Sequence, residues 1–128
     1  VPFALAAMRG NPKSLRIYLE AIVAAVNWTI TTVNDSQTYS VGDDDVVLLS
    51  GHSAEITLPG ISSGRIIVIK DTSGEAATSG QSITISRQGT DTIDGANTSL
   101  SLGANYGAVM LIGDNSSSPK VWYSIAIV

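Results

Sequence analysis

From residue 28 onward the chain is cut into short runs of Ile, Val, Leu and Thr by closely spaced turn clusters, and this spacing leaves no room for helices. The runs are Trp28–Val33, Thr38–Val41, Val46–Ser50, Ala54–Leu58, Arg65–Lys70, Ser82–Ser86, Ser99–Leu102, Tyr106–Ile112 and Val121–Val128. Between them lie Gly42-Asp43-Asp44, Ser50-Gly51, Pro59-Gly60, Ser73-Gly74, Gly89-Thr90, Asp94-Gly95 and Gly113-Asp114-Asn115. Strands recurring every ~8–12 residues with such turns indicate a sandwich, jelly roll or barrel. The expected fold is therefore all-β, a β-sandwich or jelly-roll-like head over residues 28–128. Ile66–Ile69 is continuously apolar, which predicts a central strand covered on both faces. Ser82–Arg87 alternates, with Ile83 and Ile85 inward and Thr84 and Ser86 outward. Asp94-Gly95 suits a tight hairpin that needs positive φ. No internal repeat stands out in the sequence.

Residues 1–27 have a different texture, rich in alanine and free of turn signals after Pro12. Asn11-Pro12 reads as a helix cap followed by proline in the first turn. Leu15, Leu19, Ile22 and Val26 then recur at helical spacing, and Arg16 and Glu20 form an i,i+4 pair on another face. A strand reading competes, because Leu15, Ile17 and Leu19 also alternate with Arg16, Tyr18 and Glu20. The cap and the alanines favour a short helix, preceded by an extended arm over residues 1–10. Ile17, Tyr18 and Val23 make that helix apolar nearly all round, so another surface must cover it. Its own β domain, copies of itself or a larger partner would each serve. Phe3, Leu5, Leu15, Leu19, Ile22 and Val26 are the candidate assembly and anchoring residues.

Composition narrows the functional classes. The 128-residue chain has no cysteine, which excludes disulfides, thiolate catalysis and Cys-ligated metal centres. Only 14% of residues are charged, the net charge is −4, and no basic run occurs. Phosphate neutralisation needs Lys and Arg, so nucleic acid is not an expected partner. No run reaches the ~20 apolar residues of a membrane-spanning helix, and Val1–Met8 lacks the basic start of a signal peptide. If an initiator Met preceded Val1, the natural N-terminus is expected here.

The chemistry-bearing motifs are weak. Gly60-Ile61-Ser62-Ser63-Gly64 matches the G-x-S-x-G string, but that motif works on a strand-to-helix turn with a His and an acid nearby. Here it joins two expected strands, where a polar hairpin loop is the simpler reading. His52, the sole histidine, sits in a Ser-Gly-His-Ser turn without further His or Cys donors. Asp43, Asp44 and Asp45 could offer oxygens to Ca²⁺, yet they lack the alternate spacing of a calcium loop and read as a solvated turn. Asp91 is expected to cap backbone amides. Trp28, Tyr39, Tyr106, Trp122 and Tyr123 could form a sugar-stacking platform, although adjacent Trp122 and Tyr123 must point to opposite faces. No catalytic residue, metal or cofactor is expected.

An ordered series over residues 38–127 resembles a family of β-rich head domains at the tips of phage tail and capsid fibres and in some viral surface proteins. The series runs through Thr38-Tyr39-Ser40-Val41, Asp45-Val46-Val47-Leu48-Leu49, Ile56-Thr57-Leu58-Pro59, Gly64-Arg65 and Ile69-Lys70-Asp71 with Gly74. It continues through Ile83-Thr84-Ile85, Gly89-Thr90-Asp91-Thr92-Ile93-Asp94-Gly95, Asn105-Tyr106-Gly107-Ala108 and Trp122-Tyr123-Ser124-Ile125. The resemblance implies a compact sandwich, usually a homotrimer, serving virion attachment, and it supplies no catalytic residues. Only about 27 residues precede the domain, where a fibre tip normally follows a long shaft. If the chain is complete, that departure points to a capsid decoration (cement) or head-fibre protein that decorates the virion surface through its N-terminal arm, partnered by the major capsid protein or another virion protein. The alternative is a trimeric tail-fibre tip that binds a host-surface receptor or glycan. A glycan hydrolase or esterase ranks far below both.

Overall fold

The computed structural model describes residues 27–34, 37–51, 54–78 and 82–127. The expected helix and arm, with Phe3, Leu5, Leu15, Leu19, Ile22 and Val26, lie outside these residues, as does His52. Ten strands follow in order: β1 (Ile30–Val33), β2 (Thr38–Ser40), β3 (Val46–Leu49), β4 (Glu55–Thr57), β5 (Ile66–Asp71), β6 (Ile83–Ser86), β7 (Thr92–Ile93), β8 (Ser99–Leu102), β9 (Ala108–Asp114) and β10 (Val121–Ile127). The described part of the chain is all-β, as its punctuation requires.

The strands form two sheets. The larger has the order β1-β3-β5-β9-β10-β7 and the smaller β2-β4-β6-β8. The first six strands alternate between them, and within each sheet they pair in parallel: β1 with β3 and β3 with β5, then β2 with β4 and β4 with β6. Parallel neighbours need a crossover, commonly a helix. Here each crossover is a strand of the opposite sheet, so β1–β6 climb as three two-strand coils. Repetition is thus present in the pairing although none is evident in the sequence. Ile30 pairs with Val46 and Val46 with Val68, steps of 16 and 22 residues. Thr38 pairs with Glu55 and Glu55 with Thr84, steps of 17 and 29. Unequal coils hide the period. The climb ends where β8 and β9 pair antiparallel to β6 and β5, and β10 returns antiparallel along β9.

One core lies between the sheets. Val47, Leu49, Ile67, Ile69, Val109, Leu111 and Trp122 of the larger sheet pack with Ile56, Ile83, Ile85 and Leu102 of the smaller. Fully burying each such side chain contributes roughly 1.5–3 kcal/mol. Gly113 in β9 makes room at one end of this core. A Cβ there would lie 3.0 Å from Ile61 Cγ2 and 3.2 Å from Trp122 Cζ3, so only glycine lets the 61–64 loop close over the indole. The Gly60–Gly64 segment joins β4 to β5, strands of different sheets, so it is a crossover turn and not a hairpin loop. Asp94 and Gly95 have φ of 51° and 86°, as a tight turn with two left-handed central residues needs.

The strand Ile66–Ile69 is central, but among the described residues it is covered on one face only. Ile67 and Ile69 are fully buried, whereas Ile66 is 37% exposed and Val68 is half-buried.

Candidate functional site

Side chains alternate across a strand, so register fixes which residues share a face. On the outer face of the larger sheet, Ile30, Val46, Val68, Met110 and Ile125 stand in one row across five paired strands. A second row brings Ile66, Ile112 and Tyr123 together. A third carries Thr32, Leu48, Lys70 and Ala108. Lys70 is the one charged side chain in these rows, and its Nζ donates to the Tyr106 carbonyl. Ile30, Ile66, Tyr123 and Ile125 are exposed. The result is a contiguous apolar face five strands wide, of the kind soluble monomers rarely leave open.

The smaller sheet has the opposite exterior. Its outward rows are Thr38, Glu55, Thr84 and Ser101, then Ser40, Thr57, Ser86 and Ser99. No apolar side chain occurs in either row. The inner face of this sheet is apolar, with Tyr39, Ile56, Ile85 and Leu100 in register.

Two buried carboxylates pin the framework around these faces. Asp44 accepts hydrogen bonds from Thr31 Oγ1, from Tyr39 Oη at 2.6 Å and from the Gly42 amide at 3.2 Å. Thr31 belongs to β1 and Tyr39 to β2, so Asp44 ties the two edge strands together across the sandwich. Burial pushes its carboxyl upward, but these donors outweigh burial and hold it below the usual carboxylate range. The bond to Asp44, with burial, in turn raises the Tyr39 phenol. Arg65 completes the corner by donating to the Gly42 and Asp44 carbonyls, each at 2.7 Å. Asp43 is exposed, and Asp45 accepts the Thr29 amide at 2.8 Å. The Asp43–Asp45 run is therefore only partly a solvated turn, because its middle member faces inward. Among the described residues no group of three His, Cys, Asp or Glu side chains is arranged to hold a metal ion.

Asp71, at the end of β5, is fully buried and accepts five hydrogen bonds. The donors are the Ser73 amide and hydroxyl and the amides of Gly74, Ala76 and Tyr106. Burial raises its carboxyl, and these donors reverse that and lower it overall. In the sequence Asp71 stands out only as a member of the ordered series over residues 38–127, which gives it no role of its own. Its signal is an apolar strand ending in Asp-Thr-Ser-Gly, the pattern of a carboxylate that folds the next turn onto itself. The same site holds Tyr106 at φ 58°, with its ring against Gly74.

The remaining sequence candidates separate. Ser62 is exposed in the crossover turn. Asp91 accepts the Ile61 amide at 3.3 Å, a bond to a loop 30 positions away and not the local cap expected of it. Asp94 accepts the Ser124 amide and hydroxyl at 2.8 and 2.5 Å, a contact between turn and strand that the sequence did not signal. Trp122 is fully buried while Tyr123 is 48% exposed, so the adjacent pair does split between faces. With Trp122 in the core and the Tyr39 hydroxyl committed to Asp44, the five aromatics do not make a shared sugar platform. No protein-family model matches the sequence, and no curated protein aligns with it significantly.

Proposed function

We propose that this chain is a non-enzymatic structural protein of a virion surface, a capsid decoration or head-fibre protein that works by assembling with copies of itself and with a shell protein. The observation that carries this reading is the contrast between exteriors: one sheet shows the solvent Thr and Ser, and the other shows it Ile, Val and Met. A face of the second kind gains its stabilisation when a neighbour covers it, and the expected neighbours are further subunits, as a homotrimer. Repetition over a shell then turns modest individual contacts into durable attachment. The ordered likeness to fibre and capsid head domains supplies the virion setting, and the sparse charge fits a surface that packs against neighbours.

Light scattering of the intact chain tests the reading. A trimer is expected, and Met110→Lys with Ile125→Lys should dissociate it while circular dichroism stays that of a β protein. A monodisperse monomer at micromolar concentration without affinity for capsid shells would overturn it.

The second reading, a receptor-binding fibre tip, draws on Tyr106, which is 61% exposed although its backbone is held at positive φ. Exposed residues held in sparsely populated conformations cluster at binding sites. A glycan array showing specific binding lost in Tyr106→Ala favours this reading. Substituting Trp122 would not report on it, because that ring is inside the core.

A further inference from the structure

The outer face of the larger sheet is wider than one contact, and its β1 edge is where the N-terminal residues join the domain. We propose that residues 12–26 of the same chain lie as a helix on the β1–β3–β5 side of that face, with Leu15, Leu19, Ile22 and Val26 against Ile30, Val46, Leu48 and Val68. The inference deepens the assembly reading and rests on it only for the β9–β10 side, which is left to a neighbouring subunit.

Three observations converge on this occupant. The first is connectivity. Residues 1–26 lead through Asn27–Thr29 directly into Ile30, the first residue of the apolar row and part of the edge strand of this same sheet. A three-residue connection is ordinary between a helix and the strand that follows it. The second is size. Fifteen helical residues make a rod roughly 22 Å long and about 10 Å across. Three neighbouring strands have their outer axes roughly 10 Å apart, and strands of four to six residues are about 13–20 Å long. One helix therefore covers β1, β3 and β5 and leaves Met110, Ile112, Tyr123 and Ile125 uncovered. The third is chemistry. The receiving side presents Ile30, Val46, Leu48, Ile66 and Val68, and its single lysine is already turned onto the Tyr106 carbonyl. The Leu15–Val26 seam offers four large aliphatic side chains to match, while Arg16 and Glu20 fall on another side of the helix. The continuous apolar run Ile66–Ile69 also gains its second cover in this way.

The absence of cysteine gives a clean background for a proximity test. Intact chain carrying Ile22→Cys and Val46→Cys is treated with a short thiol-reactive linker, in an equal mixture of isotope-labelled and unlabelled protein, then digested for mass spectrometry. A cross-link joining peptides of like label only supports the proposal. A cross-link that mixes labels overturns it in favour of exchange between copies, and leaves the assembly reading standing. No cross-link overturns it as well. Hydrogen exchange supplies an independent readout, with amides of residues 15–26 protected in the intact chain. That protection should fall about tenfold or more in Leu19→Asp, a change that leaves the β domain untouched, and equally in Val68→Lys, while β5 amides stay protected. Unchanged protection in both variants would overturn the proposal. A monomeric result in light scattering would remove the assembly reading without altering either measurement.

Discussion

The two sheets are alike inside and opposite outside. Both send alternate aliphatic side chains into a common core, Ile67 and Ile69 from one and Ile83 and Ile85 from the other. Outward, Thr84 and Ser86 of β6 face water, whereas Ile66 and Val68 of β5 present hydrocarbon. Among the described residues the smaller sheet thus has a polar exterior and the larger an apolar one. A run apolar at both parities, as in β5, therefore marks hydrocarbon on both faces of the strand, of which only the inner one is covered among the described residues. Alternation, as in β6, marks a strand with one apolar and one polar face.

Substitutions test this contrast directly, and the largest effects belong to the shared interior. Ile67→Ala and Ile85→Ala should each cost about 3–4 kcal/mol in urea unfolding, with equal m values, because the inner faces are equivalent. A markedly smaller loss for one of them would mean that the sheets do not share a core. Asp71→Ala should cost on the order of 3 kcal/mol by leaving the buried Ala76 amide and the part-buried Gly74 and Tyr106 amides without their acceptor. Acid should reproduce part of this. Asp44 and Asp71 are both held below their usual range, so their contribution is present above the unfolded carboxylate value of roughly 3.9 and is lost as pH falls below it. Melting temperature should accordingly drop from about pH 4 downward, and less steeply in Asp71→Asn, which has already lost part of the acid-sensitive contribution. Gly74→Ala should cost about 1–2 kcal/mol, since its φ is 77° and a Cβ would meet the Tyr106 ring. The smallest effects separate the exteriors: Thr84→Lys should move stability by about 0.5 kcal/mol or less and leave the oligomer intact. Met110→Lys, equally harmless to the fold, should weaken it. Equal behaviour of the two lysines in light scattering would erase the distinction between the faces.

Much of the fold was legible because hydrophobic runs and turns are local signals. Ser99–Leu102 is a strand with the expected bounds, Ile83 and Ile85 point inward, and Asp94-Gly95 makes the expected turn. Parallel pairing was not legible, because Ile30, Val46 and Val68 are neighbours at unequal separations and nothing local encodes which runs adjoin. The inward turn of Asp44 was missed for a similar reason. Its partners Thr31 and Tyr39 lie on two different strands, and only the assembled sandwich brings them to one carboxylate. Asp71 had a local signature, but five donors converging on one side chain include Tyr106, which is 35 positions away. The apolar outer face was half visible: Val46–Leu49 and Ile66–Ile69 announce hydrocarbon on both sides, while the match across to Met110 and Ile125 depends on register.

The coil-like climb of β1–β6 has a direction, and direction limits the arrays the molecule can build. Antiparallel β8 and β9 end the parallel climb on one side, where β10 and β7 complete the larger sheet, while among the described residues nothing pairs with the outer edges of β1 and β2 on the other. Stacking by strand addition would join unlike ends, head to tail, and such contacts propagate into filaments unless a rotation closes them. The corner at the β1 and β2 edge is crowded with Asp43, Asp45 and Arg65, charges of the sort that discourage an incoming strand. Strand addition at that edge is thereby discouraged, and any contact between copies would use the outer faces of the sheets, an arrangement that can close upon itself.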